Sequence, residues 1–133
     1  MAARCPGSAP LGAAVLGGHR LVFPCRCTEW RGGVAGLAPD AKSFVEGVLW
    51  SVSDGHLAAL DDYEGVDEGE YRRDRIAVAQ GGGKTVEAWT YYAKAESGGP
   101  FRPTADYVAT MVTGAREHGV SVPWVDMLAA LAR

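Results

Sequence analysis

Nowhere in these 133 residues does an apolar run reach the length of a bilayer-spanning helix, because Gly, Arg or Asp interrupts every long stretch. Basic charge is also scarce. A formal net charge of -3 weighs against a nucleic-acid partner, since phosphate binding wants a basic face. Cysteine is rare, and an odd count of three does not suit a disulfide framework. A reduced cytoplasmic protein is therefore expected. The opening Met1-Ala2-Ala3-Arg4-Cys5-Pro6 does not read as a signal peptide, since no apolar stretch follows Arg4. Metal-ligand spacing is missing too. Cys25-Arg26-Cys27 has no matching second pair, and His19, His56 and His118 are scattered singly. There is no internal repeat and no linker, so residues 1–133 are expected to form one domain.

What is present suits a soluble core, with 47% apolar and 22% charged residues. Residues 12–23 are rich in Val, Leu and Phe and read as a strand bent or bulged at Gly17-Gly18. Trp30 to Gly33 reads as a turn. Val34 to Leu37 reads as a short strand stopped by Pro39-Asp40, and Val45 to Val52 as another. Ser53 is placed to cap a helix running through Leu60 and ending before Gly65. Residues 71–79 and 85–93 are β-rich runs joined by Gln80-Gly81-Gly82-Gly83-Lys84, a hairpin connection. Thr104 caps a second helix, with Tyr107, Val108, Met111, Val112 and Ala115 at helical spacing and Gly119 as its stop. A short helix, about Pro123 to Leu131, ends the chain. Hairpin-ordered strands followed by helices predict an α+β fold.

Few motifs carry chemistry by themselves. Gly83-Lys84-Thr85 resembles the tail of a phosphate-binding loop, but Val78 stands where its first Gly is required and a strand follows instead of a helix. Asp61, Asp62, Glu64, Asp67, Glu68 and Glu70 form an acidic cluster without the register of a calcium loop. Acids at a helix C-terminus oppose the helix dipole, so stability does not explain their placement. Trp89 and Tyr91 are expected in the core, and Arg72 and Arg73 at solvated strand positions, with attraction of an anionic substrate as the alternative.

The order of segments carries more than any one of them. Arg4-Cys5-Pro6-Gly7, Gly18-His19-Arg20-Leu21-Val22-Phe23, Trp30-Arg31-Gly32-Gly33-Val34-Ala35 and Val45-Glu46-Gly47-Val48-Leu49-Trp50 come in sequence. Leu60-Asp61-Asp62-Tyr63-Glu64-Gly65-Val66, Gly69-Glu70-Tyr71, Ala88-Trp89-Thr90-Tyr91, Pro103 to Tyr107 and Gly114-Ala115-Arg116-Glu117-His118-Gly119 follow. In this order the chain resembles the gamma-glutamylcyclotransferase family (the AIG2-like group) over nearly its whole length.

The resemblance implies a small mixed β-barrel-like sheet with flanking helices. It implies cyclisation of a γ-glutamyl amino acid or amine, releasing 5-oxoproline, with no metal or organic cofactor. Glu64, the Glu of the family's Asp-x-x-Glu-Gly segment, becomes the general base. Tyr71 and Tyr107 match family tyrosines that line the pocket, where they would hold the substrate carboxylate or orient Glu64. The implied partner is a small γ-glutamyl molecule, not nucleic acid or membrane; oligomeric state is not readable.

Family members begin with a strand running into Tyr-Gly-Ser-Asn, whose backbone N–H groups form much of the substrate cradle. Met1-Ala2-Ala3-Arg4-Cys5-Pro6 aligns past that segment. The first barrel strand is thus expected to be missing, either because the gene start is set at an internal Met or because the protein is shortened. The 133-residue chain is then expected to show little turnover, and a chain extended upstream to be active. The alternative function is a non-catalytic small-molecule-binding module, or an inactive truncated paralogue of the same fold.

Overall fold

The computed structural model describes residues 7–64 and 71–132. The α+β expectation holds. Among the described residues four strands form one sheet, β1 (Ala9–Cys27), β2 (Gly32–Ser51), β3 (Tyr71–Gln80) and β4 (Thr85–Ala93). Three helices accompany it, α1 (Asp54–Tyr63), α2 (Ala105–Glu117) and α3 (Val122–Ala130). The strand order is β2-β1-β3-β4, and each recorded pairing is antiparallel. The outer strands β2 and β4 also approach one another, which gives the sheet its barrel-like curl.

β1 and β2 make one long bent ribbon. Its register slips between Gly17 and His19, where Gly18 takes φ +71°, so the bulge foreseen at Gly17-Gly18 is present. The expected stop at Pro39-Asp40 is not: β2 continues through it to Ser51. β2 is an edge strand, where a missing N–H costs no ladder bond. Phe44 pairs with Gly17 and Pro39 with His19, so residues 40–43 bulge out between them. Asp40 holds that bulge by accepting the Lys42 N–H at 3.1 Å and the Ser43 hydroxyl at 2.8 Å.

The remaining elements follow local signals. Ser53 caps α1, accepting the His56 N–H, while the His56 ring accepts the Ser53 N–H in return. Thr104 caps α2 through the Tyr107 N–H, and Gly119 at φ +80° ends it. Gly82 and Gly83, both at positive φ, turn β3 into β4. The Gly-Lys-Thr run is thus a hairpin connection.

Burial concentrates in two places. Val108, Val112 and Ala115 of α2 pack with Val120 and with Val125 and Leu128 of α3. Ala14 and Leu16 of β1 pack with Val78 of β3. The β1–β3 ladder is only two pairs long, Ala14–Gln80 and Val15–Ala79. Past Val15, among the described residues, the β1 edge that faces β3 carries no ladder partner. No helix among the described residues is long and apolar enough to cross a membrane.

Candidate active site

A cavity of about 1000 Å³ opens between the end of β1, the start of β2, the α1 terminus and the β3–β4 hairpin. Glu64, Tyr71 and Tyr107, singled out from the sequence, all line it. They come from three separate elements.

Glu64 closes α1, donating its N–H to the Leu60 carbonyl at 2.8 Å. One turn back, Asp61 accepts the Tyr91 hydroxyl at 2.7 Å and pairs with the Arg73 guanidinium at 3.1 Å. These contacts answer the unfavourable acid at the helix end. Arg73 offsets the dipole penalty, and Tyr91 ties the α1 terminus to the hairpin. Asp67, Glu68 and Glu70 lie outside the described residues.

Tyr71 begins β3, and its hydroxyl meets the Cys25 sulfur at 3.7 Å. Tyr107 sits in the first turn of α2, where its ring packs edge-on against Trp30 with centroids 5.2 Å apart. Its hydroxyl accepts the Ala35 N–H at 2.8 Å. The segment before α2 is docked by backbone bonds, Phe101 N–H to the Phe23 carbonyl and Gly33 N–H to the Arg102 carbonyl. The approach is close. A Cβ on Gly33 would meet the Phe101 carbonyl oxygen at 2.1 Å. The Gly32-Gly33 pair thus lets α2 seat Tyr107 in the cavity.

Burial is the main cause that raises the Tyr71, Tyr91 and Tyr107 phenols above their ordinary range. For Tyr71 the Cys25 contact adds to it, and for Tyr91 the Asp61 bond. The Ala35 N–H opposes the rise at Tyr107. All three phenols feel the Glu64 charge in the same upward direction, which places one carboxylate near three hydroxyls. They stay protonated, and so remain donors, at neutral pH.

The sign of the linkage gives a test. A phenol raised in the fold adds stability that is present below its unfolded value, near 10, and is lost as pH rises through the folded value. In an alkaline titration, the tyrosinate absorbance of the folded protein is expected to lag that of the denaturant-unfolded chain. Coincident curves would contradict the burial of these phenols.

Two expectations are corrected. Tyr91 is not a plain core residue; it lines the cavity and holds Asp61. Strand parity carries the signal. Tyr91 pairs with Arg73, so it shares a sheet face with Tyr71 and Arg73. Trp89, also expected in the core, is 41% exposed. On edge strand β4 its ring is covered by guanidinium groups, Arg73 at 4.6 Å and Arg75 at 4.7 Å, instead of by apolar side chains. Cys25, Trp30 and Ala35 also belong to the cavity, and no local pattern marked them.

Known proteins supply a frame for this geometry. The chain is similar to a solved gamma-glutamyl cyclotransferase, with 28% identity, TM-score 0.89, and coverage of 97% of this chain and 78% of that one. An uncharacterized Homo sapiens protein of known structure matches with the same 28% identity, TM-score 0.89 and coverage of 97% and 78%. YkqA of Bacillus subtilis matches at 25% identity and TM-score 0.78, over 92% of this chain and 44% of its own. No curated protein matches the sequence. The profile of the AIG2-like family matches residues 44–128, a span that holds Glu64, Tyr71 and Tyr107 and well over half of the chain. The chain belongs to the AIG2-like family.

Proposed function

We propose that this protein is a gamma-glutamylcyclotransferase-type enzyme, cyclising a γ-glutamyl amino acid or amine to 5-oxoproline with release of the amino acid or amine. One observation carries the reading. Glu64 and Tyr71 share one cavity with Tyr107, which is distant from both in sequence, in a fold like that of a gamma-glutamyl cyclotransferase.

The chemistry assigns a task to each side chain. The substrate α-ammonium is not a nucleophile until it loses a proton. Glu64 takes that proton, and before doing so its carboxylate pairs with the ammonium. The freed amine attacks the γ-carbonyl of its own molecule, closing the five-membered lactam. The tetrahedral intermediate collapses as the leaving nitrogen regains a proton, returned by the Glu64 carboxyl, and the second proton on the ring nitrogen then passes through the Glu64 carboxylate to the released amine, which departs as an ammonium. Charge builds on the γ-oxygen, and neutral phenols are suited to donate to it or to the substrate carboxylate. Tyr107 accepts from the Ala35 N–H, which leaves its own proton free to be donated. The cavity volume admits a dipeptide-sized molecule folded on itself, which lowers the entropic part of the barrier.

The test is an assay for 5-oxoproline over a panel of γ-glutamyl amino acids and amines. It is run on the 133-residue chain and on a chain carrying Tyr-Gly-Ser-Asn upstream. Release of 5-oxoproline from at least one compound, lost in Glu64→Gln, supports the reading. No release in either form would overturn it.

A further inference from the structure

The cavity wall carries three acids, Glu29, Glu64 and Glu96, and two cations, Arg26 and Lys94. The cations are not equivalent. Arg26 faces Glu96 at 3.6 Å and stacks over Phe101 with 4.8 Å to the ring centre. Its charge is largely answered within the protein. Lys94, just past the end of β4, is exposed, and among the described residues it makes no ion pair.

Lys94 also stands at a boundary. A second cleft of about 630 Å³ shares Tyr71 and Lys94 with the cavity. It is lined as well by Asp61, Arg72 and Arg73. Arg73 is paired with Asp61, whereas Arg72 lies over the Tyr92 ring at 4.7 Å. Asp74, two residues along the same strand, tempers this charge. Arg72 and Lys94 still leave this neighbouring cleft positive, beside a cavity lined by Glu64 and Glu29.

Taking the proposed function as its basis, we infer that Lys94 is a specificity-determining residue, selecting γ-glutamyl compounds whose leaving group bears a carboxylate over those that leave a neutral or cationic amine. The reacting ammonium must reach Glu64, so the glutamyl unit occupies the acidic interior. The leaving group then lies along the rest of the wall, where Lys94 stands with Tyr71 at the border with the second cleft. A carboxylate there meets an ammonium with no internal competitor among the described residues, and Arg72 adds through-space attraction. An amide of the same shape offers no charge. A cationic amine is repelled.

Lys94 is exposed, so solvent screening limits the effect to about 1.5-fold to fivefold in affinity. The experiment is calorimetric titration of γ-glutamylalanine and γ-glutamylalaninamide, which differ at that one group. Native protein, Lys94→Ala and Lys94→Glu are compared, with thermal melting as the check on folding. The native protein is expected to bind the acid about 1.5-fold to fivefold more tightly than the amide, with the preference shrinking at high salt. In Lys94→Ala the ratio is expected to fall close to one, and in Lys94→Glu to invert. Equal native affinities, a ratio unmoved by Lys94→Ala, or no binding of either compound would overturn the inference. The underlying reading fails by a different sign, the absence of 5-oxoproline from every compound tested.

Discussion

In the form that turns over, Glu64→Gln is expected to lower 5-oxoproline formation by about 10²–10⁴-fold, the range lost with a general base, while the fold and its melting temperature stay close to native. The amide keeps the shape of the carboxylate and loses its basicity. Glu64 is half-buried and ends α1 through a backbone bond that the substitution leaves intact. Substrate affinity is expected to weaken as well, since the carboxylate also holds the ammonium. If the variant turns over at the native rate, the base lies elsewhere. Asp61 is a poor replacement, because its oxygens are engaged by Tyr91 and Arg73.

The second large effect lies far from Glu64 in sequence. Gly33→Ala is expected to destabilise the protein by about 3 kcal/mol, the upper part of the range for forced overpacking. The added methyl would sit 2.1 Å from the Phe101 carbonyl oxygen and 2.7 Å from its carbon, and backbone cannot swing aside as a side chain can. Relief means pulling the Phe101-Arg102 segment off β2, which breaks the 2.9 Å bond from Gly33 to Arg102. α2 then loses the anchor that places Tyr107 against Ala35, so activity should fall together with stability. Gly47 in the same strand is the control. Nothing lies within 4 Å of a methyl there, and Gly47→Ala is expected to change stability by less than about 1 kcal/mol. Chemical denaturation of both variants decides the matter. Similar midpoints would mean that the close approach is not what fixes α2.

Much of the fold could be read locally. Ser53 and Thr104 announced their helices because capping is a short-range bond, and the glycine run at 81–83 announced its hairpin for the same reason. The stop expected at Pro39 fails because of a property that local pattern does not hold. Proline ends a central strand but is tolerated on an edge, and the edge position of β2 is a fact of topology. Trp89 was misplaced for a related reason, since an aromatic on β4 can be covered by arginines from the neighbouring strand.

The candidate site was legible only in part. Periodicity left Glu64 as one acid among six, and the family resemblance picked it out. What no pattern could supply is convergence. Cys25 and Tyr71 meet across 46 positions and Ala35 and Tyr107 across 72, by way of a bent ribbon and a glycine contact. Gly65 and Gly69 of the resembling segment lie outside the described residues.

The central claim is that the substrate's own amine closes the ring. The most direct measurement gives whichever form releases 5-oxoproline a γ-glutamylalanine with heavy nitrogen in the glutamyl α-amine and follows the label by nuclear magnetic resonance. Intramolecular attack places the label in the lactam nitrogen of 5-oxoproline and leaves the released alanine unlabelled. Label appearing in free glutamate would mean attack by water, and would contradict the account.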